Sequence, residues 1–184
     1  MLSLMLVVSS YAHAGLPLSS GDWLPLLRAE EPLTDPSDLS DAVPHLDIVG
    51  TATDPAGHWF VDATTVYLRM RLNGSPSDLS PVPYSCGFLM CQWGILVDTD
   101  EDTTTFERSV VLSDSADSLQ LRSGASMAGW SAATDTVSFE VLDPTVAGDV
   151  HTVLAESAIG DDADWFLEFS VPRVWLGLSL SDAT

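Results

Sequence analysis

The fold of this chain is decided by residues 65–72, which read TVYLRMRL. Apolar side chains at every second position alternate with polar or amphipathic ones, namely Val66, Leu68, Met70 and Leu72 against Thr65, Tyr67, Arg69 and Arg71. Because a period of two is typical of a β-strand, we predict a strand whose apolar face is buried and whose other face meets water. The dipeptide that follows, Asn73-Gly74, favours a tight turn at the end of this strand.

Short segments of the same kind recur along the rest of the chain. They are residues 57–62, 93–97, 105–112, 117–122, 136–141, 151–158 and 165–171. The segment 93–97 is apolar on both faces, which predicts a central strand. Many short strands without a convincing long helix predict an all-β fold. We expect an antiparallel, jelly-roll-like β-sandwich with little helix beyond one turn at 173–178.

The composition limits what the chain can bind. Its 184 residues include 27 acidic side chains, six arginines and no lysine, which gives a formal net charge of −21. Such a charge repels nucleic-acid phosphates, so we expect no nucleic-acid partner. The absence of lysine excludes a P-loop and Schiff-base chemistry. Hydrophobic residues make up 46% of the chain, which is enough for a real core.

The N-terminal residues predict secretion. Residues 1–14 contain a short apolar run followed by Ala12-His13-Ala14, which fits the small-x-small pattern before a signal-peptidase site. The run is too short to span a membrane, and a buried N-terminal strand is the alternative. We therefore expect a signal peptide at 1–14, a Pro-, Ser- and Asp-rich lead-in at 15–44, and a β-sandwich module at 45–184. The protein would be secreted or held at the cell surface, with no membrane span.

Cys86 and Cys91 are the only cysteines of the chain. In a secreted protein an even pair suggests a disulfide. Five extended steps cover roughly 16 Å, whereas a bridge needs Cα atoms within about 7 Å, so a bridged segment must turn. Two buried free thiols are the alternative.

An acidic turn directly follows the segment 93–97. Asp98, Asp100 and Asp102 occupy alternate positions there, and Glu107 adds a carboxylate from a different register. Close carboxylates repel one another unless a cation neutralises them, and such hard oxygen ligands suit Ca²⁺. We therefore predict a calcium site at this turn, with a solvated acidic hairpin as the alternative.

The polar face of the 65–72 strand is a candidate ligand-binding surface. Arg69 and Arg71 share it with Tyr67, and such side chains stack on sugars or pair with carboxylates. Trp59 and Trp130 each lie within two residues of a glycine and are candidate aromatic platforms. For the two arginines, ion pairing with acidic residues on neighbouring strands is the alternative role.

Four segments together resemble a known family of modules. They read LDIVG at 46–50, YLRMRL at 67–72, WGILVDTD at 93–100 and DWFLEFSVP at 164–172. They are similar to secreted bacterial β-sandwich modules of the DOMON-like superfamily, which includes family 9 carbohydrate-binding modules. The resemblance covers about residues 45–178, and similar modules continue past the Val-Pro motif, which implies a module truncated at its C-terminal end.

The resemblance implies a non-catalytic extracellular module that binds a glycan or a surface polymer, with calcium as a stabilising ion. The chain has no Gly-x-Ser-x-Gly or His-Glu-x-x-His pattern, so we expect no enzyme activity. A secreted hydrolase or a haem-binding redox domain of the same superfamily is the alternative.

Overall fold

The computed structural model describes residues 22–28, 30–35, 47–75, 92–97, 106–113, 118–123, 136–142, 149–160 and 163–176. These residues form eleven β-strands and one 3₁₀ helix, Arg173–Leu176. The strands are β1 Leu24–Pro25, β2 Leu27–Arg28, β3 Glu31–Pro32, β4 Gly57–Val61, β5 Thr65–Leu72, β6 Gln92–Val97, β7 Arg108–Ser113, β8 Ser118–Ser123, β9 Thr136–Leu142, β10 Val150–Leu154 and β11 Trp165–Pro172. The predicted all-β class is confirmed. No helix in these ranges is long and apolar enough to cross a membrane.

All strand pairs are antiparallel, and they form three sheets. The five-stranded sheet has the order β1-β4-β5-β11-β10, the four-stranded sheet has the order β6-β7-β8-β9, and β2 pairs with β3. Strand β5 has the predicted bounds and lies at the centre of the five-stranded sheet. Strand β6 ends the four-stranded sheet as far as that sheet is described, so the central position expected for 93–97 stays a prediction. An apolar run indicates that both faces of a strand are covered, but not that both of its edges are paired.

One hydrophobic cluster joins the two larger sheets. The five-stranded sheet contributes the side chains of β5 that the sequence marks as apolar, together with Leu167 and Phe169 of β11. The four-stranded sheet contributes Trp93, Val110 and Leu119 to the same cluster. We call the face of the five-stranded sheet that meets this cluster its inner face. The sandwich arrangement expected from the sequence agrees with a shared core and stays a prediction.

The opposite, outer face of the five-stranded sheet is also buried along β5, which corrects the expectation that this face of the strand meets water. All eight residues of β5 are buried, including Tyr67, Arg69 and Arg71. Trp23 of the lead-in covers part of this face by lying against Arg69. The polar residues of this strand are therefore not exposed to solvent, because remote segments of the chain fold over them.

The described part of the lead-in is fixed to the sheet by backbone hydrogen bonds. Strand β1 pairs with β4, and the N–H of Ala56 donates to the carbonyl of Leu33 at 2.8 Å. Asp35 and Gly50 exchange both of their backbone hydrogen bonds. A Cβ atom on Gly50 would collide with the backbone of Ala56, so glycine is needed where residue 50 crosses the backbone of residue 56.

Candidate functional site

The outer face carries a row of ionisable side chains that runs across four strands in register. His58 of β4 pairs with Arg69 of β5, Arg69 pairs with Glu168 of β11, and Glu168 pairs with His151 of β10. In the next row of the same face, Arg71 lies opposite Phe166. This geometry follows from the period of two, because side chains at alternate positions of paired strands share one face.

Arg69 is held between two aromatic rings. Its guanidinium carbon lies 4.5 Å from the centre of the Trp23 ring and 4.0 Å from that of Phe166. Its Nη1 lies 3.9 Å from Oε1 of Glu168, which is an ion pair but too long for a hydrogen bond. The ion pair is therefore buried but not hydrogen-bonded, and the two rings fix the position of the guanidinium.

Arg71 ties three separate pieces of chain together. Its Nη1 donates to Oδ2 of Asp164 at 2.8 Å and to the carbonyl of Ser157 at 3.0 Å. Its Nη2 donates to the Ser157 hydroxyl at 3.1 Å and to Oδ1 of Asp54 at 3.4 Å. The Ser157 hydroxyl in turn donates to Asp54. Arg71 therefore holds the loop before β4 against the loop after β10.

These two loops and the outer face enclose a pocket of about 290 Å³. Its floor comes from five side chains of the two rows, and its rim comes from the loops and the end of β10. The floor is formed by His58, Arg69, Arg71, Phe166 and Glu168, and the rim by Thr53, Asp54, Pro55, Val153, Leu154, Glu156 and Ser157.

Burial shifts the protonation equilibria of the floor. Burial raises the pKa of Glu168 to about 7, although Arg69 beside it acts in the opposite direction. Burial, followed by the charges of Arg69 and Arg71, lowers the pKa of His58 to about 4. Burial lowers the pKa of Arg69 to about 10. At neutral pH the floor therefore combines a neutral imidazole, two guanidinium cations and a carboxyl group that is close to half ionised.

Several buried polar atoms of the floor have no hydrogen-bond partner among the described residues. They are Nε of Arg69, Nε of Arg71, Nδ1 of His58 and Oε2 of Glu168. A buried polar group without a partner costs about 1–3 kcal/mol, so such atoms are rarely left in one place without a reason. One pocket therefore contains both hydrogen-bond donors and an acceptor that lack partners, and a ligand with hydroxyl groups would satisfy both kinds of atom.

The structure brings together two of the residues that the sequence singled out. Arg69 and Arg71 both line the pocket, and the alternative role expected for them is also present, since they pair with Glu168 and Asp164. Tyr67 does not line it. Tyr67 lies in the neighbouring row of the outer face, opposite Phe60 and Ser170, and its hydroxyl donates to Asp62 at 3.1 Å.

Trp59 lies on the other side of the sheet and packs half-buried against the inner cluster, away from Arg69 and Arg71. Trp130, the cysteines and most of the predicted calcium ligands fall outside the described residues, namely Cys86, Cys91, Asp98, Asp100 and Asp102. Glu107 is described and is half-buried just before β7. Within the described ranges no three His, Cys, Asp or Glu side chains are grouped to hold a metal ion.

Sequence reasoning missed His58, Phe166 and Glu168 as members of the site. The signal that was available is the alternation in β11, which places Phe166 and Glu168 on the same face. Nothing in the local sequence says that this face meets the arginine face of β5, almost one hundred residues earlier, and the pairing of β5 with β11 provides that link.

The pocket can hold a small polar molecule, orient it through fixed guanidinium groups, and offer it one carboxyl group that gains or loses a proton near neutral pH. Its function has to be inferred from these groups alone. Comparison of the chain with protein-family models, curated proteins and solved structures gives no match.

Proposed function

We propose that this chain is a non-catalytic binding module whose outer-face pocket takes one hydroxyl-bearing unit of an extracellular glycan or surface polymer. The observation that supports this proposal is the unsatisfied pair of Arg69 and Glu168. Their Nε and Oε2 atoms are buried and have no hydrogen-bond partner, which leaves one donor and one acceptor unsatisfied beside a 3.9 Å ion pair.

A hydroxyl group fits this arrangement better than most ligand groups. It accepts a hydrogen bond from a guanidinium N–H and at the same time donates one to a carboxylate oxygen. A carbonyl can only accept and an ammonium can only donate, so each would leave one of the two atoms open. Water has the same double capacity, and a ligand hydroxyl would gain affinity by replacing it with an equivalent set of hydrogen bonds.

The size and lining of the pocket also favour a single saccharide unit. A volume of about 290 Å³ is at the lower end of ligand pockets, which span about 300–1,000 Å³. Val153 and Leu154 give one side an apolar wall, and Arg71 and Ser157 give the other side a polar one. A pyranose has a C–H face and a ring of hydroxyl groups, and it can use both walls.

The proposal includes the expected location and ion. The signal-peptide pattern at 1–14 supports a secreted or surface-held protein, and the net charge of −21 argues against a nucleic-acid partner. Calcium held by Asp98, Asp100 and Asp102 would stabilise the module. The resemblance to DOMON-like modules supports the same class of function.

A blocking substitution tests the proposal without removing a buried charge. Val153→Phe fills the rim of the pocket, while Thr152→Phe adds the same ring at the exposed position next to it, which does not line the pocket. On an array of immobilised glycans we expect the wild type and Thr152→Phe to bind the same glycans, and Val153→Phe to bind them at least about tenfold more weakly. Absence of glycan binding by the wild type, or equal binding by all three proteins, would overturn the proposal.

The raised pKa of Glu168 favours a second candidate, a glycoside hydrolase that uses this carboxyl group as a general acid. Asp54 lines the same pocket and would be the second carboxylate that such a reaction needs. Chromogenic glycosides decide between the two functions, because a hydrolase would release the chromophore and lose this activity in Glu168→Gln.

A further inference from the structure

We infer that the pocket accepts uncharged saccharide units and rejects units that carry a carboxylate, and that Glu168 sets this selectivity. This inference rests on the proposed function and adds the charge class of its ligand. It follows from how each cation of the pocket is neutralised.

The positive charge of Arg71 is already neutralised by carboxylates of the protein, so it cannot attract an anionic ligand. Asp164 is fully buried and lies 2.8 Å from Nη1 of Arg71, and Asp54 lies 3.4 Å from Nη2. Two carboxylates therefore balance one guanidinium. Of the N–H groups of Arg71, only Nε–H lacks a hydrogen-bond partner, and it can donate to a neutral oxygen.

Arg69 is balanced by Glu168, which is 1% exposed and has its Oε2 unpartnered. A ligand carboxylate that reached Arg69 would come close to the Glu168 carboxylate, whose Oε1 lies 3.9 Å from Nη1 of this guanidinium, in a site where burial leaves little water to screen the repulsion. Glu156 on the rim adds a further negative charge. While Glu168 is ionised, the pocket therefore presents unpartnered hydrogen-bond donors but no unbalanced positive charge.

Protonation of Glu168 would change this balance by releasing Arg69. Glu168 is faced by Arg69 from β5 and by His151 from β10, with His58 beyond Arg69 and with Asp54 and Glu156 on the loops around the pocket. Since burial holds the pKa of Glu168 at about 7 and that of His58 at about 4, Glu168 titrates between pH 6 and 8 while His58 stays neutral. If an acidic unit binds only when Glu168 is protonated, its affinity should rise about tenfold from pH 8 to pH 6.

Matched pairs of sugars test the selectivity. The probes are the methyl glycosides of glucose, galactose and mannose, each compared with the methyl glycoside of the corresponding uronic acid. Affinities are measured by ligand-observed NMR and calorimetry at pH 6 and pH 8 in about 0.15 M salt, which shortens the range of the general charge repulsion to about 8 Å. The proteins are the wild type, Glu168→Gln, and Glu140→Gln as a control that makes the same change on an exposed residue of β9.

We expect the wild type and Glu140→Gln to prefer the neutral member of at least one pair by at least about tenfold at pH 8, and this preference to shrink at pH 6. In Glu168→Gln the preference should shrink at both pH values and lose its pH dependence.

Equal or tighter binding of the uronic acids by the wild type at pH 8 would overturn the inference while leaving the proposed function in place. The same holds if Glu168→Gln and Glu140→Gln change the preference equally, because general charge repulsion would then be the cause. If neither neutral nor acidic sugars bind, the proposed function fails and the inference fails with it.

Discussion

His58 and Glu168 belong to one row of the outer face, and their titrations should act on stability in opposite directions. In the wild-type protein the two effects cancel over much of the mildly acidic range. Glu168→Gln and His58→Gln each remove one effect and should expose the other.

Glu168 makes the fold less stable as the pH rises. Its pKa is about 7 in the fold against 4.5 for the ordinary side chain, so between these values the folded state holds a proton that the unfolded chain has released. The stabilisation is therefore complete below pH 4.5 and is lost by about pH 7. A pKa difference of about 2.5 corresponds to about 3 kcal/mol.

His58 acts in the other direction. Its pKa is about 4 in the fold against 6.5 for the ordinary side chain, so between these values the unfolded chain holds a proton that the folded state has lost. The fold therefore gains stability as the pH rises from 4 to 6.5, again by about 3 kcal/mol.

Urea denaturation between about pH 4.5 and 7.5 measures both effects. Relative to the wild type, the free energy of unfolding of Glu168→Gln should increase with pH by about 3 kcal/mol, and that of His58→Gln should decrease by about 3 kcal/mol. The double variant should follow the wild type, and Glu140→Gln should show neither trend. The many surface carboxylates contribute equally to every variant, so they cancel in the differences. Parallel curves for all variants would refute the assigned pKa shifts and the picture of the site built on them.

Three further outcomes are expected. Arg71→Met should lower the free energy of unfolding by about 3–5 kcal/mol in urea, because it leaves Asp164 charged and buried without its cationic partner; a second substitution, Asp164→Leu, should restore part of the loss. Gly50→Ala should lower it by about 1–3 kcal/mol, whereas Gly57→Ala should cost clearly less because only a flexible leucine side chain has to move; equal losses would contradict the backbone crossing described above. About 10 mM Ca²⁺ should raise the melting temperature by roughly 5–10 °C relative to EDTA, with less effect from Mg²⁺ and none in Asp100→Asn.

Local pattern was enough to predict most of the strands. The alternation over 65–72 gave β5 its observed bounds, and the segments at 57–62, 136–141 and 165–171 correspond to β4, β9 and β11 within one residue at each end. Such strands are predictable because the period of two is a property of the segment itself.

The pairing of the strands and the burial of the outer face of β5 were not predictable from local pattern. The alternation in β5 shows that its two faces differ in polarity. It does not show that Trp23 and the loops before β4 and after β10 cover the polar face. The site depends on Glu168 meeting Arg69 across strands that are far apart in the sequence, and no local rule encodes that meeting. For this reason the arginines were found and their acidic partners were not.

Four of the six arginines are buried, namely Arg69, Arg71, Arg122 and Arg173. Arg28 is exposed and Arg108 is half-buried, so a protease that cuts after basic residues has little to act on while the chain is folded. The more accessible of the two, Arg28, lies in β2, five residues after the tryptophan that covers Arg69. Resistance to such a protease therefore depends on this short lead-in, and one cut at Arg28 would divide the lead-in between Trp23 and the strands of the main sheet that follow.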